Sequence, residues 1–264
     1  MKDGWCRPCE AATLPAMSFA HLPELALVGL VFFAAGVVKG VLGMGLPTFA
    51  MGFLGLLMTV PQAAGLLTLP SLLTNLWQGL VGPGLRPLLR RLWPLQLAIV
   101  VGVAAAAWLP LPNEGLGRQL LGACLLAYGV GGLAGWRPRR PRPGREALAS
   151  TIAGVTTGLV TGLTGVFVLP AVPYLQWLRL DRDALAQALG LSFSTSTIAL
   201  AALLAARGEL GMAASLQSAL ALVPALAGMA VGQRLRSHLS EAGFRRCFLV
   251  GLVLLGAWAI VAGG

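Results

Sequence analysis

Charge is scarce in this chain, and acid is scarcer than base. The 264 residues carry nine Asp and Glu against 19 Lys and Arg, and charged residues make up 11% of the whole. Soluble domains average about 25% charged. No Asp or Glu falls inside any long apolar run, which argues against a carboxylate proton relay through a membrane. Histidine is as rare: His21 and His238 are the only two, and both lie outside the apolar runs. Walker A glycines, a His/Glu metal motif and a Ser/His/Asp set are all missing. Nucleotide hydrolysis, metal-assisted hydrolysis and acyl transfer lose their usual machinery, so an enzyme is not expected and no cofactor is called for. Residues 1–24 contain no apolar stretch long enough for a secretory signal.

Cysteine is also sparse, at four. Cys124 and Cys247 sit in apolar runs and read as small core residues. Cys6 and Cys9 form a lone C-x-x-C, with His21 the nearest further ligand; structural zinc needs a fuller set, so no metal is assigned.

What the chain has in abundance is apolar surface. It is 57% hydrophobic, with a mean hydropathy of +0.81. One soluble core of this size cannot bury that much, so lipid must serve as a second solvent. The net charge of +10 does not signal nucleic acid, because the basic residues sit in short connectors between apolar runs. They read as topology signals.

The run from Leu25 to Val60 would be ~54 Å long as one helix, against a hydrocarbon core of ~30 Å. It must hold two segments. The break falls in Lys39-Gly40-Val41-Leu42-Gly43-Met44-Gly45-Leu46-Pro47, where Gly and Pro weaken a helix. Further runs cover about 62–81, 92–110 and 116–135. A second overlong run, 148–178, breaks at Gly162-Leu163-Thr164-Gly165, leaving Val166–Leu178 as a short half-helix. Runs at about 184–206, 211–233 and 243–262 complete ten segments.

The two halves match. Gly36, Gly40 and Gly43 share the spacing of Gly158, Gly162 and Gly165, and Gln62-Ala63-x-Gly65-Leu66 answers Gln187-Ala188-x-Gly190-Leu191. The expected fold is an all-α polytopic membrane protein of two repeats, about five transmembrane segments each, with broken or half helices at the start of each repeat. The divisions are a disordered tail at 1–24, repeat 1 at 25–135, a basic linker at 136–147 and repeat 2 at 148–264. An odd number of crossings per half inverts one repeat relative to the other, a construction common in secondary transporters.

Connectors after odd-numbered segments hold Arg86, Arg90, Arg91, five linker arginines from Arg137 to Arg145, Arg179, Arg182, Arg234, Arg236, Arg245 and Arg246. Those after even segments hold only Arg118 and Arg207. The positive-inside rule places the basic loops in the cytoplasm and both termini outside. Inner (cell) membrane localisation in a bacterium follows.

Glycine-broken segments in corresponding positions are the best pointer to a site, so Gly40, Gly43, Gly45, Gly162, Thr164 and Gly165 are candidates; plain helix packing is the competing reading. Polar residues cluster after each break. The first half offers Thr68, Ser71 and Asn75, with Thr74 and Gln78 nearby. The second offers Ser192, Ser194 and Ser196 in the run Ser-Phe-Ser-Thr-Ser-Thr. Their donors can replace an anion's hydration shell, or merely bond between helices. Lys39 is the single ionisable residue near the interior of an apolar run. It marks a pathway or snorkels to the interface.

The glycine break early in each half, Pro47 and Pro170 after it, and the Ala-x-Gly-Leu entry to the next segment resemble the TauE/SafE family of sulfite exporters and sulfonate permeases, over residues 28–264. Leu46 and Val166 stand where that family's break is expected to carry glycine. The resemblance implies a permease for sulfite, a sulfonate or a related organosulfur anion, held between the two breaks. An anion channel, or an accessory subunit of a larger transport complex, is the alternative. Expected partners are the lipid bilayer and the small anionic substrate, with no nucleic acid; self-association stays open.

Overall fold

The computed structural model describes residues 22–82, 84–110, 112–135 and 144–264. The tail with Cys6, Cys9 and His21, and the linker arginines from Arg137 to Arg142, lie outside the described residues. Among the described residues are ten α-helices and no strand. They are α1 (Leu22–Leu42), α2 (Leu46–Leu57), α3 (Val60–Leu80), α4 (Leu85–Ala106), α5 (Glu114–Leu133), α6 (Glu146–Thr164), α7 (Ala171–Trp177), α8 (Arg182–Ala206), α9 (Met212–Leu235) and α10 (Glu241–Ala262). The ten expected segments correspond to these one for one.

Seven helices are long and apolar enough to span a bilayer: α1, α4, α5, α6, α8, α9 and α10. At 12 and 7 residues, α2 and α7 extend ~18 and ~10 Å, short of the ~30 Å core. With 21 residues, α3 has the length, but its polar face keeps it out of the apolar set. Two boundaries differ from expectation. Helix α4 starts at Leu85 and not near 92, so Arg86, Arg90 and Arg91 lie on its first two turns and not in a connector. Val166–Leu178 was expected to be helical, yet only Ala171–Trp177 is. Pro170 explains this, because a residue preceding proline is pushed out of helical geometry; Val166, Phe167 and Val168 instead pack as buried non-helical chain.

The breaks need a backbone that ordinary residues avoid. Gly45 caps α2 at φ 100° and Gly165 ends α6 at φ 68°, where a side chain would be strained.

The helices pack in a regular set of partners. α1 lies on α9, α4 on α6, α5 on α10 and α3 on α8. Exchanging each helix for its counterpart in the other half turns α1–α9 into α6–α4 and leaves the other two pairs unchanged. Glycine sets the closeness of these pairs. A Cβ on Gly36 or Gly40 would overlap the α9 backbone at Ala225 or Met229, and one on Gly228 or Gly232 would overlap the α1 backbone at Phe33 or Val37. Gly102 and Gly158 do the same between α4 and α6. Small residues of this kind let helices meet backbone to backbone where lipid supplies no hydrophobic drive. Apolar side chains such as Leu30, Leu97, Ile152, Val223 and Leu254 face outward.

Contacts between helix ends gather the arginine-bearing connectors at one end of the bundle. Arg91 pairs with Glu146 at 2.6 Å, joining the starts of α4 and α6, and Arg182 pairs with Glu241 at 2.7 Å, joining those of α8 and α10. The opposite end joins α8 to α4, where Arg207 donates to the Ala106 carbonyl at 2.9 Å.

Inside α3, Pro70 removes the N–H that would bond the Leu66 carbonyl. Ser218 of α9 replaces it: its hydroxyl donates to Leu66 O at 2.8 Å and accepts from Leu69 N at 2.9 Å. An orphaned carbonyl in this setting costs about 1–3 kcal/mol. Ser218→Ala is expected to lower stability by roughly that amount, read as a fall in the thermal unfolding midpoint of detergent-purified protein. An unchanged midpoint would refute the role.

Candidate functional site

The antiparallel pair α3 and α8 carries the polar residues of the bundle interior. On α3, Ser71 and Asn75 are wholly buried and Thr74 nearly so; on α8, Ser192, Ser196 and Thr197 are buried as well. A four-residue step, Ser71 to Asn75, places both on one helix face, and that face turns toward α1 and α8.

Lys39 enters this layer from α1. It is 4% exposed and does not snorkel to the interface. Its Nζ donates to Asn75 Oδ1. From there a chain of bonds crosses the bundle. Asn75 Nδ2 donates to Ser71 Oγ at 3.0 Å, and Ser71 Oγ lies 3.1 Å from Thr197 Oγ1. Thr197 gives its one proton to the Phe193 carbonyl at 2.7 Å, so Ser71 must be the donor to Thr197. Every bond therefore points the same way, from α1 through α3 into α8, an arrangement in which each bond polarises the next. The ammonium of lysine has three donors, and only one has a partner among the described residues.

Two cavities flank this layer at opposite ends of the α3–α8 pair. The one at the basic end is about 330 Å³, and its wall includes Lys39, Gly40, Gly43, Thr74, Gln78, Gln187 and Arg236. The one at the other end is about 200 Å³, with Asn113, Glu114, Gly162, Gly165, Arg207 and Glu209 in its wall. Their charges differ. Lys39 and Arg236 face Asp183 in the first; Arg207 faces Glu114 and Glu209 in the second. The first is the cationic cavity and the second the acidic one.

In the cationic cavity most amide donors are already engaged. Gln78 Nε2 bonds Gly43 O at 2.9 Å and Ala186 O at 2.8 Å, tying the broken end of α1 to α8. Gln187 Nε2 bonds Gly79 O at 3.1 Å while its oxygen accepts from Gly84 N at 3.2 Å. Lys39 has free donor capacity that these two glutamines lack.

The family finding concerns this same stretch. The sulfite exporter TauE/SafE family matches residues 28–259. The chain belongs to the TauE/SafE family. No curated protein and no solved structure matches it. The family match runs from α1 into α10 and takes in both cavities, so this TauE/SafE chain is a multi-pass membrane transporter.

The remaining expected residues divide in the TauE/SafE bundle as follows. Gly40 and Gly162 line cavities but also press against neighbours, Gly40 on Met229 and Gly162 on Ala106; Gly43 alone of the first group has open space around it. Gly45 packs against Phe248 and Val38 instead of a cavity. Gly43 and Gly165 line different cavities, so the two breaks do not face one another across one pocket. Thr68 bonds back to Ala64 O at 3.0 Å and Ser194 to Gly190 O at 2.8 Å. Thr164 bonds Val160 O at 2.7 Å. Ser192 accepts from Gln96 Nε2 at 3.1 Å. Ser196 Oγ is buried with no hydrogen-bond partner. Sequence reasoning named Gln78 within the polar cluster but passed over Gln187 as a site residue, and also Arg207, Glu209 and Arg236. The repeated Gln-Ala-x-Gly-Leu was the one available signal, for Gln187.

Glu209, in the α8–α9 connector, has one carboxylate oxygen buried without a partner. Burial pushes its carboxyl above the usual range, partly offset by Arg207. The folded state thus holds this proton more tightly than the unfolded chain. Its contribution is present below the ordinary carboxylate range and is lost as pH rises through the raised folded value. Glu209→Gln should flatten the unfolding midpoint against pH over that mildly acidic window; a profile identical to wild type would count against it. Asn75→Leu, which leaves buried Lys39 Nζ unpaired, should destabilise by about 1.5–3 kcal/mol. Lys39→Met, which removes the charge at similar volume, should be much milder. Equal losses in chemical unfolding would refute the pairing.

Proposed function

We propose that this transporter is a secondary permease for a small sulfur-containing anion, sulfite or an organosulfonate, and that the anion binds in the cationic cavity against Lys39. The observation that carries this reading is Lys39 itself: a buried basic side chain with one uncharged partner, no ion pair among the described residues, and a cavity in front of it. Such a residue inside a membrane domain is a site by default, and an arriving anion supplies the missing counter-charge. The sulfur chemistry rests on the family.

Alternating access fits the same frame. The cationic and acidic cavities lie on either side of the Ser71–Thr197 contact, which closes the path between them. The exchange symmetry of helix partners supports two inverted repeats, and rocking one against the other would part α3 from α8 at one end while closing them at the other. The basic connectors gather at the end that holds the cationic cavity, which supports a cytoplasmic position for it in a bacterial inner membrane. An inside-negative potential then favours export by about 2.3 kcal/mol per charge per 100 mV, so no carboxylate relay is required.

The test is sulfite flux in proteoliposomes, with and without an imposed potential, for wild type and Lys39→Gln. Saturable, potential-sensitive flux that falls at least tenfold in the variant is expected. Flux that does not saturate would indicate a channel. Wild-type flux retained by Lys39→Gln would remove Lys39 from the site, and flux of other anions but not sulfite would overturn the substrate.

A further inference from the structure

A cavity of about 470 Å³ lies away from the α3–α8 polar layer. It opens between the C-terminal ends of α5 and α7 and the N-terminal end of α10. In the first half α2 packs against both α5 and α10. The seven-residue α7 makes no such packing against α5 or α10.

Two guanidinium groups, Arg179 and Arg245, line this space. Neither has a carboxylate or hydrogen-bond partner among the described residues, although Arg91 and Arg182 at the same end of the bundle are both paired with glutamates. Two like charges sharing one cavity repel, and an anion between them reverses the sign of that interaction. Arg179 adds a second observation. It stands just past the end of α7 at φ 50°, the one non-glycine residue with positive φ among those described. Glycine is the usual occupant of that position, so this chain accepts backbone strain and keeps an arginine at the rim. Trp177, on the same wall, has its indole N–H buried with no acceptor.

We propose that this cavity is a binding site for a phosphate-bearing anion, held by Arg179 and Arg245 and separate from the transported-anion cavity. The planar fork of arginine matches phosphate oxygens two at a time. The volume is far larger than a bare phosphate needs and falls in the range of ligand sites, roughly 300–1,000 Å³. Pro173, Leu185 and Ala127 give the rest of the wall an apolar character suited to the organic part of a phosphate ester. Basic pockets between membrane helices hold anionic head groups in this way, and a soluble phosphate ester offers the same chemistry.

The experiment uses the full chain in detergent and counts bound phosphatidylglycerol by native mass spectrometry as the lipid is titrated. Three variants accompany wild type. Arg179→Gln/Arg245→Gln removes both charges. Gly131→Leu keeps them but fills the cavity; a Cβ there meets nothing within 4 Å, so the fold tolerates it. Arg86→Gln/Arg90→Gln removes two charges elsewhere at the same end. One tight adduct is expected, at least tenfold weaker in the first two variants and unchanged in the third. Equal loss in the third, or no loss in Gly131→Leu, would overturn the site and leave diffuse surface attraction. No saturable binding of lipid, glycerol phosphate or inorganic phosphate to wild type would overturn it outright. Displacement of the lipid by millimolar glycerol phosphate would assign a soluble phosphate ester as the source; failure to displace it would assign the lipid. Sulfite flux through Lys39 plays no part in this readout, so either proposal can fail alone.

Discussion

A basic side chain buried in a membrane domain, without an ion pair among the described residues, is the constraint around which this bundle is organised. Lys39 is almost wholly buried, and the protein brings its ammonium an acceptor. That acceptor, Asn75, must then be fixed by Ser71, and Ser71 by Thr197. Three helices are thereby committed to one polar layer. The cavity at the basic end is the side of that layer from which a counter-charge can arrive.

Around the layer, two kinds of contact divide the labour. The α1–α9 and α4–α6 pairs meet at glycines whose added Cβ would strike backbone. Contacts that close leave little room for sliding, and each pair can be expected to move as one piece. The α3–α8 pair adds polar links to the same kind of contact: Gly79 presses on Gly190, Gln78 and Gln187 donate to Ala186 O and Gly79 O, and Ser71 bonds Thr197 at 3.1 Å.

Much of this frame could be read from residues alone. The overlong runs, the glycine–proline breaks and the bias of arginine toward alternate connectors gave ten helices in the right order, although α4 starts well before the expected segment. The length of α7 was misjudged, because hydropathy does not distinguish a buried extended stretch from a helix; Pro170 carried that information and was weighed only as a family mark. Lys39 was legible as unusual but not as buried or exposed. A run that is apolar on all sides has no polar face to show which way a residue turns, and its partner lies 36 residues away. The glycines at 40 and 162 were legible as important, yet spacing alone does not separate a packing surface from a cavity wall, and in the structure they are both. Arg207 and Glu209 sit in a short connector that composition marks as solvent.

The polarity of α3 also bears on how the chain enters the membrane. Most helices here are apolar enough to leave the insertion machinery alone, each as soon as it is made. Pro70, Ser71 and Asn75 deny α3 that independence, and the groups that satisfy it are synthesised late: Thr197 follows Ser71 by 126 residues, and Ser218 follows Leu69 by 149. Until α8 and α9 emerge, α3 has an unmet carbonyl and an unfilled polar face. Its final placement must wait for α8 and α9, and the second half of the chain serves as the chaperone of the first.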